Sequence, residues 1–439
     1  MHRRDFTRLA GATLASASLP RALRASLARP FAPSINAARL NARIAALGAF
    51  GKNPQGGVTR LAYSQADLDA RSYVTMLMHD AGLAVRVDAA GNIFGRRAGR
   101  DAAASPIVFG SHLDSVPEGG NYDGPVGTLG AVEVAQSLGE AGISTIHPLD
   151  VVVWENEEGG TWGSDLVTSE ATERALATVA TSGKTIREGV ALLGGDPSKL
   201  GSARLRRGDV HAYLELHIEQ GGNLDTSHTQ IGVVEGIVGL REWNVTIEGI
   251  ANHAGTTPMP DRHDAMLSAA RFTELVHRVV TSEPGRQVGT VGRIQAFPGA
   301  PNVIPGRVVC TLELRDLDDA RIQRLFDVVR AESLRIGALN GTTFAFNEFV
   351  SHESAVCDAR IRTAIDSAAT GLGYSTMSLP SGAGHDAQNM ARVGPMGMIF
   401  IPSIAGISHA PKEYSAPDAV ARGAEVLLAT VLAVDGMHL

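Results

Sequence analysis

The stretch "PIVFGSHLDSVPEGGNYDGPVGTLGAVEVAQSLGEAG", residues 106–142, decides the fold of this protein. It begins with a short apolar run, continues through a segment rich in glycine and acidic residues, and ends in a helical pattern. A strand, a loop and a helix in this order are typical of an α/β protein with a parallel sheet. Ligands of such sheets bind beyond the carboxyl ends of the strands, where His112 follows the apolar run.

Similar apolar runs recur along the chain, as "LDVVVWE" at 149–155, "AYLELHIE" at 212–219 and "MGMIFIP" at 396–402. Their nearly continuous apolar character is expected of strands that are buried on both faces. Helical stretches such as 65–82 lie between them. We therefore predict an α/β fold whose larger domain is built on a mostly parallel sheet.

The middle of the chain has a different rhythm, in which strand and helix patterns follow the order βαββαβ. This order forms a small ferredoxin-like α+β unit by itself. A chain of 439 residues is also too long for one ordinary core. We place the smaller domain at 226–345, inserted into a larger catalytic domain that occupies 31–225 and 346–439.

Composition favours an ordinary globular protein, with 44% hydrophobic and 19% charged residues. The formal net charge of −7 gives no general attraction to nucleic acid or to anionic membranes, and we expect neither as a partner. Two cysteines, Cys310 and Cys357, are too few for a disulfide framework or a cysteine-rich zinc site.

Residues 1–30 have the layout of a twin-arginine export signal, with Arg3 and Arg4 ahead of Phe6 and a mildly apolar alanine-rich run. This run is shorter than the roughly 20 residues that a membrane-spanning helix needs. We predict a periplasmic protein; the alternative is a basic N-terminal helix.

Side chains that bind metals follow four of the predicted strands. They are His112, the pair Glu157 and Glu158, His217, and His409. Because the carboxyl ends of parallel strands meet at one edge of the sheet, we expect these side chains to converge there. Their convergence predicts a metal site.

Two divalent metal ions explain this set of side chains. We assign His112 and His217 to one ion, Glu158 and His409 to the other, and Asp123 to a bridging position between them. Imidazoles and carboxylates suit zinc, manganese, cobalt or nickel, and the sequence does not select one of these metals.

Glu157 is the carboxylate that remains beside the ligands, and this is the place of a general base. We expect Asp114 to accept a hydrogen bond from the second ring nitrogen of His112. Taken alone, Glu157 and Glu158 fit acidic residues at a helix N-terminus, and Asp123 with the following glycine fits a turn. The combination is more specific than any of its members.

Seven motifs in this order, "GSHLDSVPEGGNYDGPVG", "NEEGG", "LELHIEQG", "NHAGTTPMPDRHDA", "PNVIPG", "SGAGHDA" and "ISHAPKE", give the chain a family resemblance. It resembles the hydantoinase/carbamoylase branch of the two-metal aminoacylase and carboxypeptidase-like peptidases. The resemblance extends over nearly all of the chain after the export segment. It implies the same five metal ligands and Glu157 as the base.

The resemblance also implies roles for residues that the strand ends do not reveal. His253 would help to polarise the scissile carbonyl across the interface of a homodimer, in which the smaller domain is both lid and dimerisation domain. Asn302 and Arg315 would bind the substrate carboxylate, a task that suits the planar guanidinium of arginine. Gln220 and His385 match further positions that contact the substrate.

The expected activity is hydrolysis of the carbamoyl C–N bond of an N-carbamoyl-L-amino acid or a related ureido acid, which releases ammonia, carbon dioxide and the amino acid. Amide hydrolysis of the aminoacylase type and an exported solute-binding protein are the alternatives. The chain contains neither a His-Glu-x-x-His zinc helix nor a Gly-x-Ser-x-Gly elbow. It departs from many relatives at Thr161 and Trp162, where they have arginine and phenylalanine, and we expect this change near the pocket to affect substrate choice.

Overall fold

The computed structural model describes residues 33–439, and the predicted export signal lies outside these residues. Within 33–439 the strands are β1 (Ala84–Val87), β2 (Ile93–Arg97), β3 (Ile107–His112), β4 (Leu149–Trp154), β5 (Ala212–Ile218), β6 (Ile231–Ile237), β7 (Gly239–Glu248), β8 (Asn252–His253), β9 (Val288–Thr290), β10 (Ile294–Phe297), β11 (Val303–Ile304), β12 (Arg307–Asp316), β13 (Thr343–His352), β14 (Ala355–Val356), β15 (Thr376–Ser381) and β16 (Met396–Ile401).

The α-helices of the same residues are α1 (Ala37–Leu47), α2 (Gln65–Asp80), α3 (Pro125–Glu140), α4 (Trp162–Thr168), α5 (Glu173–Leu176), α6 (Ile186–Leu192), α7 (Asn223–Thr226), α8 (Ala265–Val280), α9 (Asp319–Asn340), α10 (Ala359–Gly371), α11 (Asp386–Met390) and α12 (Pro417–Asp435). No helix among the described residues combines the length and apolar character that crossing a membrane requires.

The larger sheet has the strand order β1-β2-β4-β3-β5-β16-β6-β14, with β15 beside β6. Its central pairs, β4 with β3, β3 with β5 and β5 with β16, are parallel, whereas the β1–β2, β2–β4, β16–β6 and β6–β14 pairs are antiparallel. The prediction of a mainly parallel sheet is confirmed. The carboxyl ends of the four central strands therefore meet at one edge.

Both faces of this sheet are buried. Ile107 and Phe109 of β3 point into one apolar core, and Val108 between them points into the core on the opposite face. Successive residues of a strand alternate between its faces, so a strand covered on both sides needs apolar residues at every position. This arrangement explains the continuous apolar runs of the sequence.

The smaller domain contains an antiparallel sheet with the order β10-β12-β7-β13, in which β9 also pairs with β12. Helices α8 and α9 pack on it, and Trp243 stacks on Phe326 within its core, with ring centroids 4.1 Å apart. The strand order is that of a ferredoxin-like βαββαβ unit, as predicted. Cys310 lies in this core and Cys357 in the larger domain, and both are free thiols.

Sheet membership shifts the boundaries between the domains. Strand β6 pairs with β14, β15 and β16, so it belongs to the larger sheet, and the smaller sheet spans 239–352 rather than 226–345. The sequence 231–250 reads as one long strand, but Val238 separates β6 from β7. Strand pairing, which a hydrophobic pattern does not contain, decides this division.

Gly124 connects the ligand-bearing loop to α3. Its φ of 79° lies in the left-handed region, and a Cβ atom here would lie 2.6 Å from the His112 ring. Pro125 then begins α3 at a position where a missing N–H has no cost. Only glycine fits both the conformation and the space, so the helix can begin directly beside His112.

We predict that Gly124→Ala lowers the free energy of unfolding by about 1–3 kcal/mol, because the new methyl group is strained and meets the His112 ring. Urea denaturation measures this change. Gly139→Ala in the same helix is the matched control, since its Cβ meets nothing within 4 Å. It should raise stability by roughly 0.5–1 kcal/mol. Equal effects of the two substitutions would contradict the steric explanation.

Candidate metal centre and active-site cleft

The imidazoles of His112 and His217 lie together at the ends of β3 and β5. Each Nδ1 faces a backbone carbonyl oxygen, that of Asp114 at 3.1 Å from His112 and that of Ile218 at 2.9 Å from His217. Donation to these carbonyls places the proton on Nδ1 and leaves the Nε2 lone pair of each ring free. Both Nε2 atoms are buried and have no hydrogen-bond partner among the described residues. Two unpartnered ring nitrogens that face the same point fit a metal ion.

The Asp123 carboxylate lies between the two predicted metal positions. Its Oδ1 is 3.4 Å from His112 Nε2 and 3.2 Å from His217 Nε2. Its Oδ2 is 3.3 Å from His409 Nε2, and that nitrogen is 3.4 Å from Glu158 Oε2. One carboxylate thus contributes an oxygen to each of two ligand groups.

These contacts define two possible metal positions that share Asp123. One group is His112, Asp123 and His217, and a second is Asp123, Glu158 and His409, with the ligand atoms of each group within 4.8 Å of one another; a third group that meets this distance, Glu215, His217 and His385, does not include Asp123. The structure brings together all five residues that the sequence predicted as ligands, in the predicted grouping. Imidazole and carboxylate donors in sets of three suit a divalent transition metal and leave positions open for water or substrate.

The electrostatics of the cluster reflect its high density of charge. Burial raises the pKa of Glu158 to about 7, with a further contribution from Asp123. The hydrogen bond with Asp123 raises the pKa of His409 to about 9. Burial raises the pKa of Asp123 itself, but the nearby imidazoles outweigh this effect and hold its pKa well below the usual range. Imidazole and carboxylate groups bind a metal in their deprotonated forms, so metal binding at this cluster would compete with protons.

Glu157 is next to the cluster but belongs to neither ligand group. Its side chain is buried, and Oε2 lies 3.7 Å from His112 Nε2. Burial raises the pKa of Glu157 well above its ordinary value, and the carboxylates of Asp386 and Glu158 add to this shift. A carboxylate with raised proton affinity at the edge of a metal site has the position of a general base.

Asp114 accepts the hydrogen bond from His112 that we predicted, and the accepting atom is its backbone carbonyl oxygen. The His112 ring faces the backbone carbonyl of Asp114, whereas the carboxylate is 3.7 Å away. That carboxylate instead accepts hydrogen bonds from the backbone amides of Glu157 at 3.2 Å and Glu158 at 3.1 Å. Asp114 therefore positions the loop that carries the base and a ligand.

Gln220 and His385 both reach the cluster. Gln220 Nε2 donates to Asp123 Oδ2 at 2.6 Å and lies 3.3 Å from His409 Nε2. His385 is buried, its ring centroid is 4.5 Å from that of His217, and its Nε2 is 2.9 Å from the Ser381 hydroxyl. Burial lowers the pKa of His385 well below its ordinary value. Both side chains line the cleft above the cluster.

The other predicted residues belong to the smaller domain and do not line this cleft. His253 and Asn302 are exposed neighbours in the β8–β11 region, where Ala254 N–H donates to the Asn302 carbonyl. Arg315 pairs with Glu313 through Nε at 2.8 Å and donates from Nη1 to the Gly382 carbonyl at 2.7 Å. Within one chain, the structure does not bring these three predicted residues to the metal centre.

The cleft lies between the two domains and has a volume of about 270 Å³. The larger domain contributes the cluster, and the smaller domain contributes Leu240 and His352. A cleft of this volume accommodates a small molecule.

Glu413 is a residue that sequence reasoning missed. Its Oε1 accepts the amides of Tyr122 at 2.9 Å and Asp123 at 3.1 Å, and its Oε2 accepts the Ser408 hydroxyl at 3.0 Å and the His409 amide at 3.2 Å. One buried carboxylate thus fixes the two loops that carry Asp123 and His409. The signal was present as the last residue of "ISHAPKE", but the sequence does not show that this side chain turns back onto two loops.

Glu215 is a second buried acid that was not predicted. It accepts hydrogen bonds from the hydroxyls of Ser111 at 2.7 Å and Tyr213 at 3.0 Å, and from the Ala387 amide at 3.2 Å. It lies two residues before His217 on β5, so the two side chains project from the same face of the strand. Glu215 therefore supports the cluster from the side of the sheet. The sequence did contain a signal for Glu215, namely its spacing of two residues from His217 within a predicted strand.

The fold and this cluster define a class of protein, a two-domain hydrolase of the kind that works with divalent metal ions. The profile of peptidase family M20/M25/M40 matches residues 108–433. The chain belongs to this family, and the resemblance found in the sequence is confirmed.

The chain is also similar to individual members of this family. An N-carbamoyl-L-amino acid amidohydrolase of Geobacillus stearothermophilus is 39% identical over 402 residues, covering 90% of this chain and 98% of that protein. A ureidoglycolate hydrolase of Arabidopsis thaliana is 37% identical over 411 residues, covering 91% of this chain and 86% of that protein. The crystal structure of a hydantoinase/carbamoylase family amidase from Burkholderia multivorans aligns with a TM-score of 0.84 at 38% identity, covering 93% of this chain and all of that chain.

We predict that Glu413→Ala weakens divalent metal binding by about 10–100-fold, because the loops of Asp123 and His409 lose their shared acceptor. Titration of the metal-free protein with zinc or manganese, followed by calorimetry, measures the affinity. Glu274→Ala, on the exposed face of α8, is the control and should bind metal like the unchanged protein. Unchanged affinity in Glu413→Ala would remove the positioning role of this residue.

Proposed function

We propose that the protein hydrolyses the carbamoyl C–N bond of an N-carbamoyl-L-amino acid or a related ureido acid. One water is consumed, and ammonia, carbon dioxide and the free amino acid are released. The observation that carries the proposal is the Asp123 carboxylate shared by two ligand groups, with the buried Glu157 beside them. The similarity to amidohydrolases that act on ureido compounds supports this substrate class.

Two divalent ions would be held by His112 and His217, by Glu158 and His409, and by Asp123 between them. Ions bound there lower the pKa of water and polarise a carbonyl group. Zinc, manganese, cobalt and nickel all suit these donors.

Glu157 performs the proton transfers in this proposal. Its carboxylate takes a proton from the attacking water and later delivers it to the departing nitrogen. The backbone amides of Glu157 and Glu158 donate hydrogen bonds to the Asp114 carboxylate. These bonds keep the Glu157 side chain in place during both steps.

Substrate binding would use residues of both domains. We assign the substrate carboxylate to Arg315 and Asn302, although neither lines the cleft of a single chain, and further contacts to Gln220 and His385 in the cleft. His253 is exposed and outside the cleft of its own chain, which supports a role in the site of a second subunit. The proposal therefore includes a homodimer in which His253 helps to polarise the scissile carbonyl of the partner's substrate.

We also propose that the protein is exported to the periplasm by the twin-arginine route. This part rests on the sequence of residues 1–30 alone, with Arg3 and Arg4 ahead of an apolar run.

The reaction class is tested by ammonia release after removal and return of metal. We expect no release from the metal-free protein and restored release with manganese, cobalt or zinc, from at least one of N-carbamoyl-L-amino acids, β-ureidopropionate and allantoate. N-acetyl amino acids, followed by amine release, are the comparison. Activity on the acetyl compounds alone would replace the proposal with an aminoacylase activity.

We predict that Glu157→Gln lowers kcat by about 10²–10⁴-fold while the fold and the metal content persist, because the amide keeps the shape but cannot accept the proton. Ammonia release, circular dichroism and metal analysis give the three readouts. Glu274→Gln is the exposed control. Substantial turnover by Glu157→Gln would show that another group is the base.

A further inference from the structure

A second cavity adjoins the active-site cleft. It has a volume of about 530 Å³, and three residues, Thr161, His352 and Gln388, line both spaces. These three residues therefore form the boundary between the two cavities. The larger space is therefore next to the position that a substrate at the predicted metal ligands would occupy.

Thr161 holds an unusual conformation at this boundary. Its φ of 53° and ψ of 35° place it in the left-handed region, which is unfavourable for a β-branched residue. The Asn389 side chain fixes it there, since Nδ2 donates to Thr161 Oγ1 at 2.9 Å and to the Ser164 hydroxyl at 2.9 Å. Strain that neighbouring side chains maintain indicates a functional position.

The second cavity has a polar wall. Its lining includes the hydroxyl residues Ser351 and Ser354, the carboxylate residue Glu353 and the guanidinium of Arg392. Arg392 is itself paired with Asp165 at 2.8 Å, so the wall offers hydrogen-bonding groups of both kinds instead of one dominant charge. At the boundary, Gln388 Nε2 donates to the Glu353 carbonyl at 2.6 Å, which orients the amide between the two spaces. An apolar chain bound there would displace water from these groups without replacing its hydrogen bonds.

We infer that Thr161 is a specificity-determining residue that admits an extended, polar side chain of the substrate into the second cavity. The inference rests on the proposed function and narrows it to ureido acids whose α-carbon carries such a chain. A longer side chain at this position would occupy space that threonine leaves open between the two cavities. The substrate class follows from the small residue at the boundary and the polar wall behind it.

The experiment compares kcat/KM for N-carbamoyl-L-glutamine, N-carbamoyl-L-methionine and N-carbamoylglycine. The metal-loaded protein should prefer the glutamine compound to the methionine compound, which has an apolar chain of similar length, by about tenfold. Thr161→Arg should reduce the glutamine-to-glycine ratio by about tenfold, mainly through KM. Thr363→Arg, the same change at an exposed site on α10, should keep the ratio.

Two further variants keep the test informative even if Thr161→Arg does not fold. Thr161→Ser retains the hydroxyl group for Asn389 and should keep the preference. Gln388→Met changes the opposite side of the boundary and should reduce the glutamine-to-methionine ratio. In a Glu157→Gln background, calorimetric titration with N-carbamoyl-L-glutamine should show the same loss of affinity on adding Thr161→Arg.

The outcomes separate the inference from the proposed function. A preference for the methionine compound, or a glutamine-to-glycine ratio that Thr161→Arg does not change, would overturn the inference while ureido hydrolysis stands. A proportional loss on all three compounds would also overturn it, since Thr161 would then have only a structural role. Absence of ammonia from every compound, with the metal restored, would overturn the proposed function and the inference together.

Discussion

The contact between the Asp123 carboxylate and three imidazoles, those of His112, His217 and His409, is the interaction on which the site depends. A buried carboxylate costs several kcal/mol unless positive charge and hydrogen bonds compensate it. The protein meets this requirement by bringing three separate chain segments to one point. The same requirement makes the position suitable for cations, because any ion that replaces the protons of the imidazoles finds a negative centre already fixed.

The backbone geometry around the cleft shows how closely the position of the Asp123 cluster is specified. Gln220, His409 and Thr161 all have positive φ angles without being glycine, and Gly124 needs its positive φ to pass the His112 ring. Such conformations persist only where the surrounding contacts determine them. Here those contacts include the Glu413 carboxylate, which joins the Asp123 and His409 loops, and the Ser403 hydroxyl, which accepts the Gln220 amide.

The division of the chain into two domains separates the predicted metal ligands from the residues that we assign to the substrate carboxylate. The predicted metal ligands and Glu157 are attached to a sheet whose faces are both buried, and this attachment gives them a rigid frame. The residues assigned to the substrate carboxylate lie on the smaller domain, and Arg315 touches the larger domain at the Gly382 carbonyl. In the proposed function, substrate recognition therefore depends on both domains, whereas the predicted metal ligands all lie within one of them.

Much of this arrangement was predictable because local patterns and simple geometry imply it. The buried strands, the βαββαβ unit and the convergence of His112, His217 and Glu158 all follow from periodicity and from the rule that parallel strands end at one edge. The division between β6 and β7 was not predictable, because one uninterrupted strand pattern covers both. The hydrogen bond between His112 and Asp114 was predictable, but the accepting atom was not, since spacing along the chain does not distinguish a carbonyl from a carboxylate.

The sequence by itself determined the α/β class and the family and predicted the candidate ligands at the strand ends, because each depends on residue types at fixed intervals along the chain. Only the tertiary structure decided that Glu413 joins two ligand loops, that Glu215 supports His217 from below, and that a polar cavity adjoins the cleft at Thr161. These features arise from contacts between segments that are far apart in the chain. Such contacts depend on how the elements pack in three dimensions, which the order of residues does not state directly.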